Sequence, residues 1–296
     1  MEMRWLEAFV NVSEELHFGR AAQKMGIAQS VLSQHIRRLE KEINAQLFDR
    51  STRSVEITAA GEAFLPHARS VLAGVEAGRF AVTAAEGEVV GRVRIGMSGI
   101  HNYSTLPKLA RAVRQQLPRV QMEYVGNVFT AEAVKSLHSG GLDIAYLSLP
   151  VADPELETRL IHREPLGIVV PTGHRAALRP AVALPSLAND PFIMAPADAG
   201  SALRRATLSL CAEAGFKPKM GQNATDPFVM LLLVAAGVGV AIAPESVASM
   251  VPPGAVYRPI LNASLDLQHG IGWLRGEGTP ARDAVIAIAR SMSSPT

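Results

Sequence analysis

The stretch "FGRAAQKMGIAQSVLSQHIRRLEKEINAQLF", residues 18–48, contains two helical patterns separated by Gly26. The first pattern carries Ala21 and Ala22, whose small side chains allow a close crossing with a neighbouring helix. The second pattern has an apolar stripe formed by Leu32, Ile36, Leu39 and Ile43, and its opposite face carries Gln29, Ser30, Ser33, Gln34 and Arg37. Two short helices joined by a glycine turn predict a helix-turn-helix from Phe18 to Arg37.

The polar face of the second helix has the chemistry of a base-reading surface. A Gln amide offers a paired donor and acceptor to adenine, and an Arg guanidinium forms a bidentate contact with guanine in the major groove. The alternative is a solvent-exposed helix of a small bundle, but such a helix favours Glu and Lys over Gln and Ser. We therefore expect the five residues of this face to contact double-stranded DNA.

The charge around this stretch is weakly positive. Residues 17–60 contain seven Lys and Arg against four Asp and Glu, an excess of three, whereas the net charge of the whole chain is +2. An ordinary solvated face can carry such an excess. The charge is therefore a weak nucleic-acid signal unless the polar helix face accompanies it.

A hairpin is predicted directly after the second helix. The segments "LFDR" and "VEIT" are typical of short strands, and "STRS" between them is typical of a turn. An arginine on a protruding ribbon can enter a narrow minor groove, and Ser or Thr hydroxyls can bind phosphates. We therefore add Arg50, Thr52 and Arg53 to the residues expected to contact DNA.

Length and composition restrict what the rest of the chain can be. With 296 residues, 48% of them apolar, the chain can form two or three folded units. Its most apolar run, "FVMLLLVAAGVGVAIA", is shorter than a membrane span and interrupted by glycine, so no membrane segment is expected. The N-terminus "MEMRWLEAF" lacks the pattern of an export signal, and the single Cys211 suits a reducing compartment. These features predict a cytoplasmic protein in which Cys211 is a small buried residue.

Strand-like and helix-like segments alternate from residue 92 onward. The strand-like segments are "RVRIGM", "RVQMEYV", "LDIAYLSL", "LGIVVP" and "PFIMAP". The helix-like segments are "LPKLARAVRQQL", "TAEAVKSLHSG", "GSALRRATLSLCAEAG", "DPFVMLLLVAAG" and "PARDAVIAIARSM". This alternation predicts an α/β architecture, in which ligands bind at the carboxyl ends of strands and near helix N-termini.

The N-terminal motifs "AAQKMGIAQSVLSQHIRRLE", "LFDR" and "TAAGE" resemble the winged helix-turn-helix of the LysR-type transcriptional regulators. One departure is Ser30, where the family commonly has proline at the start of the recognition helix; serine can cap the helix or contact phosphate there. The resemblance extends along the whole chain. It implies a DNA-binding transcriptional regulator, not an enzyme, whose promoter binding or activation is modulated by a small-molecule effector in a C-terminal cleft.

The resemblance also implies how the chain is divided. Residues 1–58 would form the winged helix-turn-helix, residues 59–88 a long linker helix for dimerisation, and residues 89–296 a two-lobed effector domain like that of periplasmic binding proteins. Lobe I would comprise about 89–161 and 269–296, including the segment "LQHGIGWLRG", and lobe II about 162–268. The family assembles as a dimer of dimers, so a homotetramer built from homodimers is implied.

The linker segment carries its own dimerisation signal. Thr58 is a candidate N-cap. The a/d spacing that is typical of a helix paired with another helix occurs at Phe64, Ala68, Val71, Val75 and Val82. Pro66 predicts a kink, and three glycines weaken the pattern. A helix that packs only on its own domain is the alternative. The spacing favours a homodimer through this helix.

Polar segments follow the predicted strands where a cleft between two lobes would lie. The resemblance makes the following residues candidates for effector binding: Ser98, His101, Asn102, Tyr103, Thr130, Ser148, Ala197, Asp198, Thr225 and Asp226. Each is otherwise a loop or capping residue. The family often has arginine where this chain has Ala197, which weakens the case for a strongly acidic effector. Asp198 and Asp226 favour a hydroxyl or an amine unless they only cap helices. We expect a small polar or aromatic metabolite bearing one carboxylate or hydroxyl.

Enzyme and metal motifs are missing from the sequence. The fragment "GVGVA" lacks the third glycine of a dinucleotide loop and follows a helix, and no GxSxG, HExxH or P-loop occurs. The eight histidines include no pair spaced i, i+4, so neither a metal nor a cofactor is predicted. A solute-binding protein is the alternative for the C-terminal two-thirds, but it would need an export signal and would have no use for residues 1–60.

Overall fold

The computed structural model describes residues 1–50, 55–83, 88–97, 105–197, 200–276 and 278–292. The N-terminal elements are the helices α1 (Met3–Glu15), α2 (Phe18–Met25) and α3 (Gln29–Ile43) and the strands β1 (Phe48–Arg50) and β2 (Val55–Ile57). α2 and α3 are the two predicted helices, and β1 and β2 pair antiparallel as the predicted hairpin. α1 is an additional helix, which the sequence patterns above do not predict.

Local chemistry sets the limits of α2 and the direction of α3. The His17 side chain accepts a hydrogen bond from the amide of Arg20 and caps the start of α2. Gly26 ends α2 with φ 66°, a left-handed conformation that favours glycine. The predicted apolar stripe then turns inward, where Leu32, Ile36 and Leu39 are fully buried with residues of α1. The three helices therefore share one core.

The linker segment forms one long helix, α4 (Ala59–Thr83), which continues through Pro66. Thr58 caps it as predicted, because its Oγ1 accepts a hydrogen bond from the amide of Gly61 at 3.0 Å. The first half of the predicted dimerisation seam is wrong. Phe64 and Ala68 pack into the core of the N-terminal domain, where the ring of Phe64 lies 5.5 Å from that of Phe9.

The C-terminal region alternates strands and helices. Its elements in chain order are β3 (Gly91–Gly96), α5 (Leu106–Gln116), β4 (Val120–Val125), α6 (Thr130–His138), β5 (Ile144–Leu149), β6 (Leu156–Pro171), β7 (Pro191–Met194), α7 (Ala202–Glu213), β8 (Lys219–Asn223), α8 (Pro227–Ala235), β9 (Ala241–Pro244), β10 (Ala255–Pro259), β11 (Asp266–Leu274) and α9 (Pro280–Ser291). Every strand-like and helix-like segment predicted from the sequence forms the expected element. β8, β9 and β10 are additional strands.

The strands form two lobes. In lobe I, β3 pairs in parallel with β4 and β5, and β11 pairs antiparallel with β5, so the C-terminal segment completes this sheet as expected. In lobe II, β9 and β10 flank one half of β6, while β7 pairs in parallel with β8. The two lobes have separate apolar cores. Of the helices that the structure describes, none is both long and apolar enough to cross a membrane.

The strand β6 connects the two lobes. Its residues 156–165 pair with β11 in lobe I, and its residues 166–171 pair with β9 or β10 in lobe II. The sequence predicted only the second half, because the segment "LETRLIHREP" lacks a continuous apolar run. The lobes are therefore joined by a continuous strand that belongs to both sheets.

Candidate DNA-binding surface and effector cleft

The helix α3 presents the predicted polar face to solvent. Gln29, Ser30, Gln34 and Arg37 are exposed and Ser33 is half-buried, while the opposite stripe lies in the core. Because one face is anchored and the other is open, side chains on the open face can reach a neighbouring molecule without disturbing the fold.

The start of α3 is suited to a phosphate group. The helix begins at Gln29 after Ala28, and no side chain caps it. Ser30 lies inside the first turn, so its expected alternative role as N-cap is wrong. A helix N-terminus whose amides have no capping side chain is a favourable position for an anion.

The cations of α2 and α3 differ in their surroundings. Lys24 on α2 lies 2.9 Å from a carboxylate oxygen of Glu14, and Arg20 lies 3.4 Å from one of Glu15, so acidic residues of α1 balance both cations. On α3, Arg38 and Lys41 are exposed beside Arg37. Neither was among the predicted contacts, although Lys41 follows Arg37 at the helical spacing i, i+4.

The hairpin has the predicted strands and a regular register, with Phe48 opposite Ile57 and Asp49 opposite Glu56. Thr52, Arg53 and the side chain of Arg50 lie outside the described residues. Their contacts with DNA therefore stay predictions.

Only part of the predicted effector cleft lies within the described residues. The N-terminus of α6 in lobe I faces those of α7 and α8 in lobe II. A cavity of about 40 Å³ between them has a wall that includes Phe129, Ala195, Ser201, Arg204, Thr225 and Met230. The lobes approach closely here, since a Cβ placed on Gly200 would lie 3.1 Å from that of Ala131.

The structure describes five of the ten predicted cleft residues. Thr130 and Ser148 lie together, because the Ser148 amide donates a hydrogen bond to Thr130 Oγ1 at 3.0 Å. Thr225 lines the cavity, whereas Ala197 is exposed and is not part of the wall formed by the described residues. Five predicted residues lie outside the described part of the chain: Ser98, His101, Asn102, Tyr103 and Asp198.

Asp226 acts as a helix cap in this structure. Its Oδ1 accepts hydrogen bonds from the amides of Phe228 at 2.7 Å and Val229 at 3.0 Å. The capping alternative considered for this aspartate is therefore the one that the geometry supports.

Two polar residues of the cavity wall were missed by sequence reasoning. Ser201 caps α7 by accepting a hydrogen bond from the Arg204 amide at 3.2 Å, and Arg204 Nη1 donates to the carbonyl of Ala195 at 2.7 Å. The sequence does contain a pattern that could have identified them, because a serine followed three residues later by an arginine stands at the start of a predicted helix. Arg204 supplies a cation to this wall even though position 197 is alanine.

A largely buried arginine side chain joins the N-terminal domain to lobe I. Arg69 on α4 lies 3.1 Å from a carboxylate oxygen of Glu14, and it donates hydrogen bonds to Ser139 Oγ at 3.0 Å and to the Ser139 carbonyl at 3.2 Å. Its side chain is only 12% exposed. Burial lowers the pKa of the Arg69 guanidinium, and the Glu14 carboxylate acts in the opposite direction. A Cβ on Gly141 would lie 2.8 Å from Arg69 Nη1, so glycine leaves room for this contact.

Two family models match the chain. The model described as "Bacterial regulatory helix-turn-helix protein, lysR family" matches residues 3–62, and the model described as "LysR substrate binding domain" matches residues 86–293. Together they include the N-terminal helices, the hairpin and both lobes.

Individual proteins are similar to the chain over most or all of its length. "HTH-type transcriptional regulator ShiR" of Corynebacterium glutamicum (strain R) is 54% identical over 295 residues, covering 100% of both chains. Full-length CbnR complexed with its target DNA has a TM-score of 0.75 at 24% identity, covering 99% of this chain and 100% of that one. The effector-binding domain of QuiR in complex with shikimate has a TM-score of 0.63 at 22% identity, covering 69% of this chain and 98% of that one. At these identities the two structures establish the fold alone.

Proposed function

Because the chain belongs to the LysR family of DNA-binding transcriptional regulators and is not an enzyme, we propose that α3 reads the bases of a two-fold operator and that an effector between the lobes modulates this binding. The exposed face formed by Gln29, Gln34 and Arg37 carries the proposal. Footprinting with genomic fragments tests it: protection of two half-sites on one face of the duplex supports the assignment. Binding without sequence preference contradicts it. Such a regulator acts on the chromosome, so we assign it to the cytoplasm.

The cleft favours a small carboxylate that also carries a hydroxyl or an aromatic ring. Arg204 supplies a cation, and α6 begins without a side-chain cap, so its first amides are available to an anion. The hydroxyl of Thr225 and the ring of Phe129 line the same cavity. A cavity of about 40 Å³ holds about three waters, so a metabolite requires a wider separation of these walls. Effector binding would therefore change the arrangement of the lobes.

A ligand screen identifies the effector class. The full-length protein is heated with small hydroxylated and aromatic carboxylates, including shikimate, which is the ligand in the QuiR complex. A ligand present at about 100 times its Kd stabilises the folded state by about 2.7 kcal/mol, which shifts the melting temperature measurably. Carboxylates that shift it should do so less after esterification. An equal response to ester and acid contradicts the carboxylate assignment.

Arg204→Met is expected to weaken binding of a carboxylate effector by about 1.5–3 kcal/mol, about 10- to 150-fold. The guanidinium and its hydrogen bond to the Ala195 carbonyl are lost, while the apolar stem remains to fill the wall. Calorimetric titration with the ligand from the screen measures the change. Arg114→Met, on the exposed surface of α5, is the matched control and should leave affinity unchanged. Equal affinity in the two variants would move the anion site elsewhere.

Thr225→Val tests whether a threonine hydroxyl binds the effector, and it is easier to interpret than Thr130→Val. Thr130 Oγ1 already accepts the Ser148 amide, so its replacement also leaves a backbone donor unpaired. Thr225 is exposed at the cavity and its replacement by valine preserves shape. Loss of effector affinity with unchanged operator binding is the result that places the ligand here.

The dimerisation face of α4 is displaced from the predicted seam. Exposed positions at coiled-coil spacing are His67, Val71, Gly74, Gly78 and Val82. Val71 is 50% exposed and Val82 88% exposed. A Cβ on Gly74 or Gly78 would meet nothing within 4 Å, so a second helix could approach closely. This face supports a homodimer through α4, and the family relationship favours a homotetramer.

Val71→Asp is expected to abolish dimerisation and operator binding together. The dimer would bury an unpaired carboxylate from each copy, at a cost of about 2 kcal/mol or more per site. Light scattering and a mobility-shift titration measure the two effects. A dimeric Val71→Asp protein with normal operator affinity would show that the interface lies on another face.

The helix α6 links the cleft to the N-terminal domain. Its first residue, Thr130, lies beside the cleft, and Ser139 just beyond its last turn contacts Arg69. A small shift of this helix on effector binding would change the position of Arg69 and so of α1, through Glu14. We propose that the effector signal reaches the DNA-binding domain along this path.

A further inference from the structure

Three ionisable side chains meet where the lobes are joined. His162 and Glu164 alternate along β6 and therefore lie on one face of the strand, and the register places His269 of β11 directly opposite His162. His269 Nε2 lies 3.2 Å from Glu164 Oε2, and His162 Nε2 lies 3.7 Å from the same oxygen. The exposed fractions of the Glu164 and His269 side chains are 6% and 4%, and that of His162 is 26%.

The Glu164 carboxylate receives contacts from both lobes. The Ser246 amide from lobe II donates a hydrogen bond to Oε1. The two imidazoles, from β6 and β11, both approach Oε2. The cluster thus combines one buried carboxylate, Glu164, with two imidazoles, His162 and His269, that approach the same carboxylate oxygen. Two imidazoles and a carboxylate are ligands typical of a divalent transition-metal site.

The distances between the three groups match such a site. Zn–N and Zn–O bonds of about 2.0–2.2 Å in a tetrahedral site separate neighbouring ligand atoms by about 3.3–3.6 Å. The two measured distances to Glu164 Oε2, 3.2 and 3.7 Å, bracket this value. One ligand atom from each residue lies within 4.8 Å of the others. Bringing all three onto one ion requires the two imidazoles to approach each other by at most about 1–1.5 Å, because 4.8 Å is the upper bound on their separation.

One buried ring nitrogen at the same place has no hydrogen-bond partner among the described residues. This atom is Nδ1 of His162. Buried polar groups without a partner commonly mark an ordered water or an ion. With Nε2 of His162 on a metal ion, the Nδ1 N–H would point away from the ion and could donate to such a water, which would fix the orientation of the ring.

We propose that His162, Glu164 and His269 bind a divalent transition-metal ion such as Zn²⁺, with solvent as the fourth ligand. The ion would fasten β6 to β11 beside the point where β6 passes into lobe II, and Glu164 would connect it to lobe II through the Ser246 amide. Metal occupancy would thereby stabilise the connection between the lobes. The sequence did not suggest this site, because its ligands follow strand spacing and a cross-strand contact rather than the helical pair i, i+4.

The test measures metal binding directly. Full-length protein stripped with a chelator is titrated with Zn²⁺ by calorimetry, and bound metal is counted by elemental analysis after dialysis. We expect one Zn²⁺ per chain. His162→Gln should weaken binding by about 100-fold or more, because even outer-shell partners change metal affinity about 10- to 100-fold. Because the His162 ring is partly exposed, this variant is expected to fold, which its melting curve without metal checks.

Two further variants make the outcome specific. Glu164→Gln keeps the size of the side chain and an acceptor for the Ser246 amide, and it should also lose the metal. The control is His138→Gln, since His138 forms a surface contact with Asp153 at 2.8 Å. Wild-type binding in the His138→Gln variant, with loss in the other two, supports the proposal. Absence of stoichiometric Zn²⁺ in the wild type, or its loss in His138→Gln alone, overturns it.

Discussion

Replacing Gln29 or Arg37 by alanine is expected to weaken operator binding by about 1–3 kcal/mol for each change, about 5- to 150-fold in affinity. Both side chains are exposed on α3, so neither replacement removes core contacts. The lost hydrogen bonds would be those made to base edges, and sequence preference should relax at the positions that these residues read. Mobility-shift titrations against the operator and single-base variants of it measure both effects.

A neighbouring arginine separates base reading from phosphate binding. Arg38 is exposed next to Arg37 but points about 100° away around the helix. Arg38→Ala should therefore lower affinity about equally for all sequences and reduce the slope of log affinity against log salt by about one. If Arg37→Ala behaves in the same way as Arg38→Ala, α3 lies on the duplex with a different face toward the bases. Circular dichroism confirms that each variant is folded.

The N-terminal fold could be predicted because its signals are local. Gly26 ends α2, and the stripe of Leu32, Ile36 and Leu39 fixes which side of α3 is buried. The dimerisation seam could not be placed equally well. Spacing alone identifies an apolar stripe, but whether Phe64 and Ala68 face a partner or their own domain depends on α1, which is distant in sequence. The exposed glycines, which weaken the predicted a/d pattern, form part of the open face.

In the effector region, too, local patterns could be predicted from the sequence and contacts between distant segments could not. Alternating strands and helices were predictable from periodicity, whereas the cavity wall depends on pairings between residues far apart in sequence. Asp226 illustrates the difficulty, because an aspartate before a helix has the same local pattern whether it binds a ligand or caps the helix. Arg204 was missed because it follows the helix start by three residues and reaches back to Ala195. Burial and hydrogen-bond partners distinguish these roles, and sequence alone contains neither.

Arg69→Met is expected to uncouple operator binding from the effector. The variant keeps the apolar stem but loses the contacts with Ser139 and Glu14. Glu14 is not left unpaired, because Lys24 Nζ lies 2.9 Å from its other oxygen. The N-terminal domain should therefore remain folded and bind the operator. A coupling free energy is typically about 1–3 kcal/mol, which corresponds to a change of about 5- to 150-fold in operator affinity on effector binding, and we expect most of it to be lost.

The experiment needs both ligands of the protein, because coupling is a property of two sites. Operator affinity is titrated with and without a saturating effector for the wild type, Arg69→Met and Arg114→Met, the last being the exposed arginine on α5 that also serves as the control for Arg204→Met. Linkage requires that the operator change effector affinity by the same factor, so calorimetry on the operator complex gives an independent value. We expect wild-type coupling in Arg114→Met and a ratio near one in Arg69→Met, with effector affinity for free protein largely retained. Wild-type coupling in Arg69→Met would show that the signal passes between the domains by another route, such as the contact of Arg92 with Glu76 at 2.8 Å.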